Sequence, residues 1–200
     1  MHFELSFQSI QILTDQEKTI IEIEQEELII KAAQKDISHF ESLYNKHYEP
    51  IFRYVFRQIG DEDESSDVVS KVFLNAMNAI HKYECRGFPF GAWLYRIASN
   101  ETKKYFRKNK TRTLSIENTN LERILVCEEV EDNEARIKVV NELVKELDDE
   151  EIQILQLKYF DDQNFREIAY VLDKNESTVK MRLYRALNKI KTLYEKKHRD

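Results

Sequence analysis

Lysine and arginine side chains gather in two blocks of this chain, and their chemistry is the binding of anions. Residues 81–113 hold nine Lys/Arg against two acids, and residues 177–200 hold eight against two. Residues 117–134, between them, hold seven acids against one arginine, so the net charge of −6 hides two cationic blocks. Mixed-charge solvated helix faces would explain either block alone. Both blocks together favour two surfaces that neutralise phosphates, joined by a segment that avoids them.

The residue patterns of common catalytic and metal sites do not occur in the sequence. There is no Gly-rich phosphate loop, no His-Glu-x-x-His pair and no Ser-centred elbow. Cys85 and Cys127 stand far apart, so we expect two reduced thiols and leave a redox role open. His39 and His47 are interpreted as surface or packing residues. We expect no enzyme activity, no cofactor and no bound metal.

Composition predicts that the cationic residues stand on helices. Three Gly and two Pro in 200 residues are too few for the tight turns of an all-β fold, and helix-favouring residues dominate. No run of about 18 apolar residues is present, and the first residues lack the basic-then-apolar order of a secretory signal. We therefore expect an all-α, cytoplasmic protein that does not insert into a membrane.

Hydrophobic periodicity places four helices in the amino-terminal half. Pro50 should kink or break the second of them, because proline lacks the backbone donor and crowds the preceding turn. Gly60 should end it, and the acidic run 61–67 should start the third helix, where acids suit the positive end of the helix dipole. A loop containing Gly87 and Pro89 precedes the basic fourth helix. The predicted helices cover 17–34, 36–59, the stretch from the acidic run to 80, and 90–108.

The carboxy-terminal third predicts a helix-turn-helix. Asp148 with Glu151, and Asn164 with Glu167, each have the spacing of a helix-capping box. Asn175 could cap a longer last helix after a short turn, and this short-helix, turn, long-helix order is the helix-turn-helix pattern; an ordinary helical hairpin is the alternative. The last helix should read base edges and phosphates with residues near its amino-terminal end, namely Thr178, Lys180, Met181, Arg182, Tyr184 and Arg185.

At this point a family resemblance becomes specific. Residues 164–187 resemble the carboxy-terminal DNA-reading region of extracytoplasmic-function (ECF) sigma factors, a group of the sigma-70 family. Asp173 stands at the family's turn glycine, and Met181 stands at a usual serine, so the base sequence that is read should differ from that of relatives. The positions that match the family pattern are Glu167, Ile168, Ala169, Leu172, Thr178, Val179, Lys180, Arg182, Leu183, Arg185 and Ala186.

The amino-terminal half resembles the other half of the same family. Residues 40–44, 67–74 and 90–100 resemble its motifs in order and spacing. The resemblance implies two small helical domains joined by a linker, the second containing the helix-turn-helix. The expected boundaries are an unassigned segment 1–16, a region 2-like domain 17–109, an acidic linker 110–133 and a region 4-like domain 134–200.

The resemblance also implies roles for residues of the first domain. Asp67, Val69, Ser70 and Phe73 would dock on the polymerase, although Val69 and Phe73 could simply fill the core, and Ser70 replaces a frequent Gln. The loop residues Tyr83, Arg86 and Phe88 would accept a base extruded from the minus-ten element. The basic helix would hold the opened strand with Trp93, Arg96, Asn100, Lys103, Lys104 and Arg107. Trp93 could stack on a base or could instead be a core residue, and the sequence leaves both alternatives open.

The expected function is therefore that of a promoter-specificity subunit. With core RNA polymerase it would recognise promoter DNA, open the strands and start transcription, and an anti-sigma factor is the implied inhibitory partner. One alternative is a stand-alone helix-turn-helix regulator that binds duplex DNA without polymerase. A second is a helical adaptor that binds only proteins, which would show no salt-dependent DNA affinity.

Overall fold

A computed structural model describes residues 15–109 and 146–197, with side chains over 24–109 and 146–193. The expected linker 110–133, with Cys127, and nearly all of segment 1–16 lie outside these ranges. No strand occurs within them, and none of their helices is both long and apolar enough to cross a membrane. The helices are α1 (Asp15–Lys35), α2 (Phe40–Ile59), α3 (Glu62–Ala79), α4 (Phe90–Asn109), α5 (Asp149–Tyr159), α6 (Phe165–Leu172) and α7 (Glu176–Lys197).

Helices α2, α3 and α4 pack together as the core of the amino-terminal half, which we define as α1–α4. Their buried faces carry large apolar side chains such as Ile51, Tyr54 and Leu94. The Asp61 carboxylate accepts a hydrogen bond from the Glu64 backbone N–H at 2.9 Å and so caps α3. Helix α1 lies across this core, where the Gln34 side chain donates to the backbone oxygen of Tyr83 at 2.8 Å. This bond ties the start of the loop that precedes α4 to α1.

Of the kink or break predicted at Pro50, the break does not occur, because α2 runs without interruption from Phe40 to Ile59. A proline inside a helix costs about 3 kcal/mol, and burial of the residues that follow it, including Ile51 and Tyr54, offsets that cost. Gly60 ends the helix in the left-handed region with φ of 78°, as expected. The helix begins at Phe40, because residues 37–39 form a 3-10 turn.

The three- and four-residue apolar spacing of the sequence predicts inward positions for Ile37, Tyr44 and Met77, but all three are exposed. Ile37 lies on the 3-10 turn before α2, Tyr44 lies on α2, and Met77 lies on α3. A periodic pattern therefore marks the centre of a buried face better than its borders.

Helices α5, α6 and α7 form the carboxy-terminal half, and the predicted caps are confirmed. Asp148 and Asn164 both form complete capping boxes with the glutamate three residues later. Asp173 takes the left-handed conformation with φ of 57° at the end of α6, which Asp tolerates better than most residues. Helix α7 packs its buried side chains onto α5 and α6. The α6–turn–α7 unit is the expected helix-turn-helix.

The two halves lie in contact, which the prediction of two domains on a linker did not include. Helix α4 packs against α6, and the buried apolar residues of both halves form one continuous cluster. We call the contact region the seam and define it by Arg57, Gln58, Tyr95, Gln153 and Asp161. One cation from each block, Lys104 and Arg185, remains exposed in the presence of this contact.

Candidate nucleic-acid interfaces

The outer face of α7 is the first candidate surface. Met181 and Tyr184 are large, exposed side chains, and Arg185 is exposed beside them. The opposite face, with Val179, Leu183 and others, is buried against α5 and α6, so packing fixes which side of the helix turns outward. Thr178 is half-buried in the first turn, where its backbone N–H donates to the Asn175 carboxamide oxygen at 2.8 Å. Asn175 therefore caps this helix, as expected.

Two cations of this predicted set have partners within the same half. Lys180 lies 2.6 Å from Glu176 and 5.3 Å from the centre of the Phe165 ring. Arg182 lies 3.2 Å from Asp148 and 3.4 Å from Glu150. Lys180 remains half-exposed and can exchange its partner for a phosphate, whereas Arg182 ties α7 to the start of α5. The free cation at the centre of the exposed face is Arg185, for which the described residues provide no ion pair.

The outer face of α4 is the second candidate surface, and its predicted residues fall on one side of the helix. Asn100, Lys103, Lys104 and Arg107 are exposed and follow each other at steps of one, three or four residues. The exposed Lys104 lies 2.7 Å from the carboxylate of Glu101, whose side chain is largely buried. Burial lowers the pKa of the Lys103 ammonium, which borders a cavity of about 570 Å³ at the seam.

An aromatic cluster stands at the amino-terminal end of this surface. Trp93 is half-buried, with its ring 4.7 Å from that of Tyr83 and 5.3 Å from that of Phe90. Burial raises the pKa of the Tyr83 hydroxyl above its ordinary value. Trp93 therefore serves the packing of this cluster and still presents part of its ring outward. Arg86, on the same loop, is exposed and lies 3.4 Å from Glu84.

The two remaining predicted residues of this surface are engaged by the carboxy-terminal half. The Phe88 ring stacks on the Tyr170 ring at 4.4 Å with an interplanar angle of 18°. Arg96 lies 2.8 Å from the Asp173 carboxylate, and its guanidinium lies 5.0 Å from the centre of the Tyr170 ring. Sequence patterns could not have shown this engagement, because the partners are more than 70 residues apart.

The third predicted set lies on α3 and divides between the surface and the core. Asp67 and Ser70 are exposed, whereas Val69 and Phe73 are buried against α2. Burial fits the alternative that Val69 and Phe73 pack the domain. Leu74, which is 58% exposed, was not predicted for this surface, and Met77 was predicted on the inner face but is exposed. These two continue the outward row begun by Asp67 and Ser70, and an apolar residue off the main stripe is the signal that could have found Leu74.

Comparison with known proteins identifies both halves. Residues 43–112 match the family model described as Sigma-70 region 2, and residues 143–192 match that described as Sigma-70, region 4. Together the two matches cover more than half of the chain. The chain belongs to the ECF sigma factors of the sigma-70 family.

Curated ECF relatives align over most of this sigma factor. It is 26% identical over 170 residues to the ECF RNA polymerase sigma factor BldN of Streptomyces coelicolor, which covers 84% of this chain and 64% of BldN. It is 23% identical over 157 residues to the ECF RNA polymerase sigma factor SigM of Bacillus subtilis, covering 78% of this chain and 95% of SigM. The chain thus spans somewhat less than two thirds of BldN and nearly all of SigM.

Solved structures show the same fold. CnrH, in complex with the cytosolic domain of CnrY, superposes with a TM-score of 0.60 at 22% identity, covering 84% of this chain and 96% of that one. The sigma factor RpoE from Bartonella quintana, in complex with the anti-sigma factor NepR, gives 0.57 at 17% identity, covering 78% and 96%. In this ECF sigma factor the α4 surface falls within the region 2 match and the α7 surface within the region 4 match.

Proposed function

We propose that this ECF sigma factor directs core RNA polymerase to promoters by dividing promoter recognition between two surfaces. The α7 face would bind the minus-thirty-five element as duplex, and the α4 face would capture the opened minus-ten strand. The observation that carries this proposal is that each half turns one cationic helix face outward, within its own sigma-70 region. The domain boundaries 17–109 and 134–200 belong to the same proposal.

The chemistry of each face suits its proposed target. On α7, Met181, Tyr184 and Arg185 project from one exposed side of a helix near its amino-terminal end, the part of a recognition helix that enters the major groove. On the other surface, the cations of α4 stand beside the ring of Trp93 and the loop that carries Phe88. Rings next to cations suit single strands, because bases stack while phosphates are neutralised.

The outer side of α3 is the proposed polymerase contact. It joins the exposed polar residues Asp67 and Ser70 to the exposed apolar residues Leu74 and Met77. A polar rim next to solvent-facing apolar side chains is the composition of a protein–protein contact. Val69 and Phe73 would support this surface from beneath, holding α3 against α2. Polymerase would then hold both DNA-binding halves at a set spacing, so that they act bivalently.

A protein inhibitor and a cytoplasmic location complete the proposal. The solved relatives CnrH and RpoE were each captured with a regulatory protein, CnrY and the anti-sigma factor NepR. We infer that this chain also has an anti-sigma partner. It would work in the cytoplasm, without membrane insertion, without a cofactor and without catalysing a reaction itself.

Transcription in vitro with purified core polymerase tests the proposal. Adding the chain to a library of genomic fragments should give promoter-specific transcripts. The double variant Lys180→Ala with Arg185→Ala should weaken promoter binding by the holoenzyme and reduce the salt slope of log affinity by about 2, since about two phosphate contacts are lost. Polymerase association should stay intact.

A matched control removes two lysines from α1, as Lys31→Ala with Lys35→Ala. Both side chains are exposed and lie outside the proposed surfaces, so this variant should transcribe like the wild type. Duplex binding at a specific site without polymerase, together with no transcript, would favour the stand-alone regulator. Equal loss of DNA and polymerase binding in the α7 variant would show that Lys180 and Arg185 hold the fold.

A further inference from the structure

The seam between the two halves is centred on a buried charged group. The Nη2 atom of Arg57 lies 2.6 and 2.5 Å from the two carboxylate oxygens of Asp161. The Tyr95 hydroxyl donates to the same carboxylate at 3.1 Å. The side chains of Arg57 and Asp161 are only 11% and 4% exposed. An arginine of α2 and an aspartate of the α5–α6 turn therefore neutralise each other across the contact.

The surroundings of this ion pair are polar and loosely filled. The buried Gln153 of α5 donates to the carboxamide oxygen of Gln58 of α2 at 3.2 Å. The cavity of about 570 Å³ beside them is lined from both halves, by Lys103 and Phe106 on one side and Leu172 on the other. Apolar side chains also pack across the contact where α4 meets α6, whereas permanent interfaces between domains are mostly apolar and closely packed throughout. Groups that water can solvate equally well are typical of an interface that opens.

The same contact covers part of the proposed strand-capture surface. Tyr170 stacks on Phe88, and Arg166 places its guanidinium 4.8 Å from the centre of the Phe88 ring. Asp173 forms an ion pair with Arg96 at 2.8 Å. The three residues from the carboxy-terminal half lie at steps of four and three along α6 and its cap, so one side of α6 makes the whole contact.

The groups of α6 that cover the capture surface resemble the parts of a DNA strand that the surface is proposed to bind. An extruded base would stack a flat ring on Phe88, and the Tyr170 ring does so. A backbone phosphate would place anionic oxygens on Arg96, and the Asp173 carboxylate does so. Both groups come from α6 and not from α7, so the recognition helix remains exposed while the capture surface is filled.

We propose that α6 is an internal mimic of the opened promoter strand, with Tyr170 in the place of an extruded base and Asp173 in the place of a phosphate, and that the Arg57–Asp161 pair latches it there. The inference rests on the proposed function of Phe88 and Arg96. The free chain is then closed and binds single strands weakly, and strand capture requires the halves to separate, as binding to polymerase would achieve.

The first experiment opens the latch in the full-length chain. Asp161→Asn leaves Arg57 buried without a counter-charge in the closed form, whereas both side chains are hydrated in the open form. The closed-to-open ratio should fall about 100-fold or more. Small-angle X-ray scattering should show a clearly larger radius of gyration for Asp161→Asn than for the wild type.

Single-strand binding is read on the same samples. The probe is a short fluorescent single-stranded oligonucleotide of mixed sequence, followed by anisotropy, with the matching duplex as reference. Asp161→Asn should bind the single strand about tenfold more tightly than the wild type, because apparent affinity scales with the open fraction. Duplex affinity should not change. The control is Asp162→Asn, which changes the neighbouring exposed aspartate, whose left-handed backbone asparagine also tolerates, and it should match the wild type in both measurements.

A second variant vacates the capture surface and keeps the latch. Tyr170→Ala should remain compact yet bind the single strand several-fold more tightly, and Tyr170→Phe, which retains the ring, should match the wild type. Opening by Asp161→Asn without a gain in single-strand affinity would overturn the mimic, as would equal behaviour of Tyr170→Ala and Tyr170→Phe. An extended wild type would overturn the latch. These measurements do not depend on transcription in vitro. A negative result here would therefore overturn the mimic or the latch without deciding the proposed function, which the transcription experiment tests separately.

Discussion

The two proposed promoter surfaces differ in how the molecule presents them. The outer face of α7 is open to solvent, and within the described ranges no hydrogen bond or ion pair joins it to the amino-terminal half. The capture surface of α4 is partly covered, because Phe88 and Arg96 contact Tyr170 and Asp173. A duplex is present before polymerase acts on the promoter, whereas the opened strand exists only once the promoter has been melted. The difference indicates that a surface for an intermediate can be kept closed until the intermediate forms.

The largest expected effect is a loss of stability confined to one half, which would show that the two halves are separate folding units. Leu155 of α5 is buried in the carboxy-terminal half, so Leu155→Ala should destabilise that half by about 2–5 kcal/mol through lost burial and a cavity. If the seam is as separable as its polarity indicates, the amino-terminal half should keep its stability. Residue-resolved hydrogen exchange measures the two halves in one sample.

The control for this variant is Leu74→Ala, which removes the same side chain from an exposed position on α3 and should change stability by less than about 0.5 kcal/mol. Equal loss of protection in α2 and α6 after Leu155→Ala would show a single cooperative unit. The seam would then be part of the core, and the contrast between an open and a covered surface would be a fixed property of the fold.

Sequence could predict what depends on neighbouring residues and could not predict what depends on distant ones. The capping boxes at Asp148 and Asn164 and the left-handed Asp173 were predictable, because each depends on residues within one turn. The seam was not, since Arg57 and Asp161 are 104 residues apart and neither lies in a recognisable motif. The continuation of α2 past Pro50 was not predictable for the same reason, because packing from other helices outweighs a local rule.

A smaller effect is expected from the different roles of two arginines on α7, one of which stabilises the fold while the other is proposed to bind DNA. Arg182 contacts Asp148 and Glu150, whereas Arg185 is exposed without an ion pair among the described residues. Arg182→Ala should therefore lower the stability of the carboxy-terminal half by about 1 kcal/mol, a modest value because a third of the side chain is exposed. Arg185→Ala should leave stability unchanged and weaken duplex binding. Thermal unfolding measures the effect on stability, and holoenzyme–promoter titrations measure the effect on DNA binding. If Arg185→Ala lowered stability and Arg182→Ala weakened only DNA binding, the exposed face of α7 would not be the face that reads DNA.

The smallest expected effect concerns how the amino-terminal half holds α1, and it depends on pH. Burial alone would raise the pKa of the Glu26 carboxyl. Hydrogen bonds with His47 at 2.7 Å and Lys46 at 2.9 Å lower the pKa by more than burial raises it, so the net pKa lies below the ordinary 4.5. A depressed folded-state pKa stabilises the fold at pH values above 4.5, and this contribution is lost as the pH falls through the folded-state value.

Glu26→Gln should cost about 0.5–1 kcal/mol of stability at neutral pH, and its difference in stability from the wild type should shrink below pH 4.5. Glu27→Gln, which removes a more exposed partner of Lys31, should show neither effect in the same urea titrations. A pH-independent deficit in Glu26→Gln would mean that shape, and not charge, holds α1 in place, and the amino-terminal half would then lack the ionic anchoring that the seam has.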